Sequence, residues 1–189
     1  MPGMTEPGTD LEIRRQRAED RPAVREVIVR AFGRTVVADL AEALLAARAG
    51  ADGLSYVAET GGRIVGHVQL SRSWVDAPQR LVDVLVLSPL SVRPEFQRRG
   101  IGGRLVHHAV AEAERFGTPM VFLEGSPRYY GRLGFTRASE RGFTAPSVRI
   151  PDAAFQVVTL PGYEPWMTGA LVYAEEFWAL DCVGLRDTP

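Results

Sequence analysis

The chain has 189 residues, of which 46% are hydrophobic, and this is enough to bury a core without disulfides or metal ions. Its formal net charge of -1 comes from 22 basic and 23 acidic residues that are interspersed, which argues against a polyanion-binding surface or an electrostatic membrane footprint. The single cysteine, Cys182, excludes an intrachain disulfide, and no apolar stretch approaches the roughly 20 residues of a membrane span.

These observations favour a cytoplasmic protein with no nucleic-acid partner and no membrane partner. Residues 1–10 lack a hydrophobic signal core and are predicted to form a flexible tail. Residues 11–189 are predicted to form a single domain, because no repeat, low-complexity block or linker interrupts them. A homodimer is compatible with this sequence, but no feature of the sequence indicates one.

The first part of the chain predicts a strand followed by two helices. Residues 11–17 alternate weakly between apolar and polar types, as a strand does. Asp20 then begins a segment in which apolar residues recur at helical spacing. Thr35 is a candidate cap for a second helix that ends near Gly50.

A β-meander is predicted next. Residues 54–59 and 63–71 are strand-like runs separated by a short glycine turn of the kind that joins hairpin strands. Residues 81–92 form a longer run rich in valine and leucine, as expected of a central strand that is covered on both faces. Pro89 lies inside this run and cannot donate a ladder hydrogen bond, so a bulge or a splay is predicted there.

The clearest helical pattern of the chain covers residues 102–113, and Gly117 and Pro119 mark its end. Ser126 and Pro127 offer an N-cap and a first-turn proline for a brief helix. Three further strands are predicted at residues 120–123, 155–160 and 169–173. The order of elements is mixed α/β.

The segment at residues 97–102 joins the central strand to the clearest helix, and its composition predicts an anion-binding loop. Its glycines let the backbone approach a ligand, its amide N–H groups converge, and the positive end of the helix dipole faces the same point. A P-loop is excluded because no Gly-Lys-Ser/Thr sequence is present. A dinucleotide fingerprint is excluded because Leu105 occupies its third glycine position. The remaining pattern is Gln/Arg-x-x-Gly-x-Gly, and the predicted guest is a pyrophosphate.

The chain resembles the GNAT superfamily of acyl-CoA-dependent N-acyltransferases through residues 90–102, which read LSVRPEFQRRGIG. A second match follows at residues 130–135, where YGRLGF is similar to the superfamily's Tyr-x-x-x-Gly-Phe segment. The resemblance covers roughly residues 11–135. Residues 138–173 are similar to the tail of a bacterial subgroup of predicted acetyltransferases, and residues 138–189 are expected to supply closing strands and an acceptor-side tail.

The resemblance implies an α/β, GNAT-like fold with a mixed central sheet of about six or seven strands flanked by helices. It further implies that this sheet splays between its fourth and fifth strands to admit acetyl-CoA. The loop amides would hold the pyrophosphate of CoA, and the end of the central strand would pair with the pantetheine amides. The residues implied in CoA binding are Leu90, Ser91, Val92, Gln97, Arg98, Arg99, Gly100, Ile101, Gly102, Gly103 and Arg104.

Tyr130 is the residue to which the resemblance assigns the role of general acid. Attack of an amine on a thioester expels a thiolate, and a phenol near that sulfur can donate a hydrogen bond or a proton to it. The alternative is a half-buried tyrosine whose hydroxyl binds the backbone. Gly134 and Phe135 are expected to fix the turn that follows.

A general base is harder to identify in this sequence. Family members often place a carboxylate on the central strand, and spacing from the glycine loop puts Val86 at that position, where it cannot take a proton. Asp83 falls on the opposite face of the strand by alternation. Glu124 is therefore the candidate base, with an exposed strand-end carboxylate as the alternative, and Ser88 is able only to order a water.

No metal site is expected. His107 and His108 are adjacent on a helix and point about 100 degrees apart, so they cannot chelate one ion together. His67 lies in a strand, where it either faces the acceptor cleft or is a hydrogen-bonded structural residue. Cys182 is expected to be a packed thiol rather than a nucleophile.

The sequence thus predicts an N-acetyltransferase that moves an acetyl group from acetyl-CoA directly to a primary amine of a small-molecule or peptide acceptor. The alternative, motivated by Val86, is a CoA-binding or interaction module with little transferase activity. Transfer to a hydroxyl group and use of a longer acyl donor both stay open. The identity of the acceptor has no recognisable code in this sequence.

Overall fold

The computed structural model describes residues 11–47 and 50–186, and the side chains of residues 50–53 are outside that description. The predicted tail at residues 1–10 therefore lies outside the described residues. Five α-helices fall within the described part of the chain: α1 (Arg21–Phe32), α2 (Thr35–Ala46), α3 (Ile101–Phe116), α4 (Pro127–Tyr130) and α5 (Glu175–Ala179). Its strands are β1 (Glu12–Arg15), β2 (Gly50–Thr60), β3 (Arg63–Asp76), β4 (Leu81–Val92), β5 (Met120–Glu124), β6 (Thr136–Arg137), β7 (Phe143–Thr144), β8 (Phe155–Thr159) and β9 (Gly169–Val172).

These strands form one mixed sheet, as predicted. The main order is β1-β2-β3-β4-β5-β8-β6, and β9 pairs with the far end of β3 and with β7. The meander from β1 to β4 is antiparallel, whereas β4 and β5 are parallel. A parallel pair needs a crossover connection, and α3 supplies it.

The predicted opening between the fourth and fifth strands is present in the sheet. β4 pairs with β5 only at Leu85 and Val86, although β4 continues to Val92. The ladder between β3 and β4 also carries a bulge, because Val68 pairs with Leu90 while Leu70 pairs with Leu87. The extra residue of β4 falls at Ser88 and Pro89, where the missing proline N–H interrupts the ladder.

The sheet is covered on both faces, as the apolar sequence of β4 predicts. Leu85 and Leu87 face α3 and its apolar stripe, whereas Val84 and Val86 face a cluster that includes α2 and the C-terminal segment. α1 and α2 pack together over β2 and β3 at the other end of that second face. Both faces of the central strand are thus sealed except at the opening beside β5.

A buried arginine fixes the end of β4, immediately before the glycine loop. Arg93 is only 3% exposed, and its Nε donates to the carbonyl of Ile64 at 2.9 Å. The same guanidinium binds Glu26 of α1 at 2.7 Å. This contact ties β4 to β3 and α1, so that the loop starts from a rigid point.

Three features of the fold differ from the sequence-based expectation. β3 runs to Asp76, and its last residues pair with β4 on one side and with β9 on the other. The two-residue strands β6 and β7 and the five-residue helix α5 are too short to leave a periodic pattern. Thr35 is the first residue of α2 rather than its cap, since Arg34 occupies the cap position and makes no side-chain cap bond.

Candidate functional site

A cavity of about 680 Å³ lies at the N-terminus of α3, against the free edge of β4. Its walls come from β4, from the glycine loop, from the first turn of α3 and from α4 with the turn that follows. The lining residues are Leu90, Val92, Phe96, Gln97, Arg98, Gly100, Ile101, Gly102, Gly103, Tyr129, Arg132 and Leu133.

The loop backbone beside this cavity is unusual, and it leaves the amides of the first turn of α3 without helical partners. Arg98 and Gly100 both adopt the left-handed conformation, with φ of 59° and 78°. The amides of the first helical turn have no partner within the helix, and the first ladder bond of α3 is from Arg104 N–H to the Gly100 carbonyl. A left-handed conformation costs a non-glycine residue about 1 kcal/mol, so Arg98 is held there by its surroundings.

Eight of the residues predicted to bind CoA line this one cavity. Ser91, Arg99 and Arg104 do not. Ser91 is 2% exposed and points into the protein interior. The guanidinium of Arg99 lies 5.3 Å from the Phe96 ring centre, and Arg104 donates to the carbonyl of Leu11. Both arginines are thus occupied at the rim or on the surface rather than along the cavity wall.

Four lining residues were not among the sequence predictions: Phe96, Tyr129, Arg132 and Leu133. The hydroxyl of Tyr129 occupies the position where a side chain at Gly102 would begin, so that glycine allows the two segments to meet. Arg132 is the second arginine that lines the cavity, together with Arg98. The sequence feature that could have indicated Arg132 is its position inside the Tyr-x-x-x-Gly-Phe segment, about one helical turn after Tyr129.

Tyr130 is the last residue of α4, and its ring lies close to the end of β5. Its ring packs edge-on against Tyr129 and Phe135, with centroid distances of 4.9 and 5.9 Å, and it lies against Gly125. Its hydroxyl has no hydrogen-bond partner among the described residues. Burial strongly raises the pKa of Tyr130, so this phenol stays protonated at neutral pH.

A second cleft, of about 110 Å³, opens on the opposite face of the sheet at the same break between β4 and β5. The lining residues are Val86, Leu87, Ser88, Glu124, Tyr173, Phe177 and Cys182. Glu124, the last residue of β5, accepts a 2.7 Å hydrogen bond from the Tyr173 hydroxyl and a 3.3 Å bond from the Gly184 N–H. Burial raises the pKa of Glu124, while these two donors oppose the rise.

The other candidate bases occupy the positions that strand alternation predicts. Asp83 is exposed on the opposite face of β4, whereas Val86 is 1% exposed and belongs to the core. Ser88 lies at the bulge and lines the second cleft. Glu124 is thus the single carboxylate that lines this cleft within the described part of the chain.

The histidines and the cysteine do not form a reactive cluster. His67 is fully buried with its Nε2 2.9 Å from the Ser55 hydroxyl, and burial lowers its pKa to about 3. His108 packs edge-on against Tyr56 at 4.6 Å. Burial raises the pKa of the Cys182 thiol, which lies 3.4 Å from the Leu180 carbonyl.

Neither a candidate metal site nor a helix able to cross a membrane is found within residues 11–47 and 50–186. No group of three or more His, Cys, Asp or Glu side chains in these ranges is arranged to hold a metal ion. None of the helices in these ranges combines the length and the apolar character needed to cross a membrane.

In this structure β4 separates from its parallel neighbour β5 beside a glycine loop and the N-terminus of α3. This arrangement defines the class of acyl-CoA-dependent N-acetyltransferases. The sequence profile of the Acetyltransferase (GNAT) family matches residues 21–135, and the chain belongs to this family. It is 34% identical over 167 residues to the uncharacterized N-acetyltransferase YjhQ of Escherichia coli (strain K12). That match covers 80% of this chain and 92% of YjhQ.

Two solved structures extend the comparison to the whole fold. The GNAT family N-acetyltransferase YhbS from Escherichia coli, in complex with CoA, superposes with a TM-score of 0.79 at 25% identity, covering 93% of this chain and 96% of YhbS. A GNAT family acetyltransferase from Brucella melitensis, in complex with acetyl-CoA, gives 0.72 at 28% identity, covering 89% and 99%. The likeness therefore extends beyond the 21–135 match into the C-terminal segment.

Proposed function

We propose that the chain transfers an acetyl group from acetyl-CoA directly to a primary amine of a small-molecule or peptide acceptor. The observation that carries this proposal is the pair of cavities that meet β4 from opposite faces at its break from β5. One cavity has the features of a donor site and the other those of an acceptor site. Similar proteins solved with CoA and with acetyl-CoA support the choice of donor.

The donor site is proposed to bind its ligand in two parts. Amides of the first turn of α3, together with the guanidinium groups of Arg98 and Arg132, suit a pyrophosphate. The free edge of β4, which runs from Leu87 to Val92, suits the amide groups of a pantetheine arm. The stretch from Val92 to Ser88 is about 13 Å of strand, and it would lead the thioester from the loop to the second cleft.

Transfer would then proceed without a covalent enzyme intermediate, because both substrates are held at one break in the sheet. As the amine nitrogen bonds to the thioester carbonyl carbon, Glu124 receives the proton that the nitrogen loses. The C–S bond breaks, and the Tyr130 hydroxyl donates its proton to the leaving sulfur. Its raised pKa keeps this phenol in the donating form.

Direct binding and turnover measurements test the proposal. Isothermal titration is expected to give saturable binding of acetyl-CoA and of CoA, and a panel of primary amines is expected to release free CoA thiol with equimolar acetylated amine. Absence of binding at millimolar ligand would contradict the donor assignment. Glu124→Gln should retain donor binding but lose most amine-dependent turnover.

A second candidate function is favoured by one observation. Val86, at the position where family members often place a carboxylate, is buried in the core and cannot take part in proton transfer. A CoA-binding or interaction module with little transferase activity would bind acetyl-CoA but release no thiol with any amine in the panel. The same two measurements thus separate the two candidates.

A further inference from the structure

The second cleft, which lies between the sheet and the C-terminal segment, combines uncharged lining residues with a single carboxylate. Val86, Leu87 and Phe177 supply its apolar residues and Ser88, Tyr173 and Cys182 its uncharged polar ones, while Glu124 is the one charged side chain that lines it among the described residues. With a volume of about 110 Å³, the cleft has room for the end of a chain rather than for a whole ring system. Its small volume and its single carboxylate therefore suit a cationic group carried on a narrow, unbranched stem.

The Glu124 carboxylate is held by the C-terminal segment and not by its own strand. Tyr173 donates to Oε1 at 2.7 Å, and Gly184 donates through its N–H to Oε2 at 3.3 Å. The Tyr173 ring is itself fixed, because it is 4% exposed and stacks on Phe177 at a centroid distance of 4.6 Å. A rigid ring that aims its hydroxyl at one carboxylate oxygen leaves the carboxylate a single orientation.

Few other titratable groups act on this carboxylate. The guanidinium of Arg149 favours the ionised form at longer range, while it binds the Val183 carbonyl and Asp181. The Cys182 thiol faces the same cleft, and its pKa is raised. Tyr173 is thus the nearest side-chain partner, and it stabilises the ionised carboxylate against the opposing effect of burial.

We propose that this cleft receives an unbranched primary amine and that Tyr173 is a positioning residue that holds the Glu124 carboxylate toward it. The inference rests on the proposed function and adds a substrate class and a residue role to it. The ammonium group would bind the ionised Glu124 carboxylate and pass one proton through it to solvent, so that the neutral amine attacks while Glu124 is again ionised and able to receive the second proton. A carboxylate beside the amine would face the charge of Glu124, and a branch would meet the apolar lining residues.

The pH profile of Tyr173→Phe tests the positioning role. The variant keeps the ring and its stack on Phe177 but loses the donor to Glu124, so protonation of the carboxylate becomes easier. The acid limb of the kcat/KM profile should therefore move to higher pH. At a pH on that limb, kcat/KM should fall about tenfold, whereas on the alkaline plateau it should fall less than about threefold. Tyr163→Phe makes the same chemical change away from the cleft and should leave the profile unchanged.

Removal of a merely structural tyrosine would lower kcat/KM by the same factor at all pH values and would not move the acid limb. That outcome would overturn the positioning role. Glu124→Gln should abolish the limb in the same assay, and a retained limb would also overturn the proposal. Thermal melting of each variant checks that it is folded. A wild-type protein that acetylates no amine overturns the proposed function, and the inference falls with it.

Three six-carbon amines test the substrate class with the wild-type protein: n-hexylamine, 2-aminohexane and norleucine. The first is expected to have a kcat/KM at least about tenfold above those of the other two. The second adds a branch at the carbon that bears nitrogen, and the third adds a carboxylate there. Equal or higher kcat/KM for norleucine would overturn the substrate class while leaving the transferase assignment intact.

Discussion

Tyr129 and Tyr130 are neighbours in the chain, but they face different surroundings. Tyr129 lines the donor cavity and is 36% exposed, whereas Tyr130 is largely enclosed between Gly125, Phe135 and its neighbour. The hydroxyl of Tyr130 has no partner among the described residues. Because Tyr130 is only partly buried and its hydroxyl binds none of these residues, the hydroxyl is free to donate to a ligand, and under the proposed function a developing thiolate would be its acceptor.

The first prediction separates the two tyrosines by kinetics. Tyr130→Phe should lower kcat about 100-fold with little change in acetyl-CoA affinity, because it removes a donor that acts in the transition state. Tyr129→Phe, the matched control, should leave kcat nearly unchanged. Steady-state kinetics with a fixed amine and titration of acetyl-CoA provide both numbers. If the two variants had equal kcat, Tyr130 would have no part in proton transfer.

At the scale of one element, the loop before α3 combines a special backbone with an electrostatic role. A side chain at Gly100 would find no atom within 4 Å, so substitution there meets open space rather than a clash. The cost comes from φ of 78°, which disfavours every other residue type. Charge and backbone strain can therefore be varied independently at this position.

The second prediction compares Gly100→Glu with Gly100→Gln. Both variants carry the same strain and nearly the same bulk, but only the glutamate opposes a pyrophosphate. At low salt the glutamate variant should bind acetyl-CoA about tenfold more weakly than the glutamine variant, and the gap should narrow at high salt. Titration calorimetry at two ionic strengths measures this. Equal affinities would mean that the pyrophosphate does not approach residue 100.

The end of β4 gives a third prediction, on stability. Arg93→Met keeps an unbranched side chain but removes the bonds to the Ile64 carbonyl and to Glu26, so unfolding free energy should fall by about 2 kcal/mol. Arg63→Met removes an exposed arginine that pairs with Glu95 and should cause a much smaller change. Urea unfolding measures the unfolding free energy of both variants. Equal losses would contradict the role of Arg93 in linking β4 to β3 and α1.

The longer elements were predictable from the sequence because they leave a periodic or apolar pattern. α3 and the seven longer strands follow directly from such patterns, and the bulge in β4 follows from Pro89. α5 and the two-residue strands were not predictable, since five residues are little more than one helical turn and two residues are too few to show the alternation of a strand. The donor loop was predictable for a related reason, because its residues are contiguous.

For the whole molecule, His67 links stability to pH. The folded protein keeps this residue neutral down to a pKa of about 3, whereas the unfolded chain takes up a proton near pH 6.5. The unfolded state therefore binds more protons between these values. Stability contributed by His67 is fully present above pH 6.5 and is lost as the pH falls toward 3.

The fourth prediction follows with a matched variant. His67→Gln keeps a polar group near the Ser55 hydroxyl but cannot titrate. Between pH 6.5 and 4.5, wild-type unfolding free energy should fall more steeply than that of the variant, by about 1.4 kcal/mol per pH unit. Urea unfolding at several pH values gives the two slopes. Parallel curves would contradict the assignment of a neutral, buried imidazole.

The acceptor side of the proposed site depends on residues that are far apart in the sequence. The position of Glu124 at the end of a strand indicates it as a candidate base, whereas no sequence pattern indicates Tyr173. The two residues are 49 positions apart, and Gly184 lies 60 positions from Glu124. No spacing rule connects residues so distant, because their meeting depends on how the C-terminal segment folds back over the sheet.

That return of the C-terminal segment has an evolutionary consequence. Under the proposed function, the donor half of the site is encoded by two stretches, residues 90–103 and 129–133, while the orientation of Glu124 is set from residues 173 and 184. Substitutions in the segment can then alter which acceptor is received without disturbing acetyl-CoA recognition. A chain divided in this way can acquire new acceptors in few mutational steps, since its reaction chemistry is inherited unchanged.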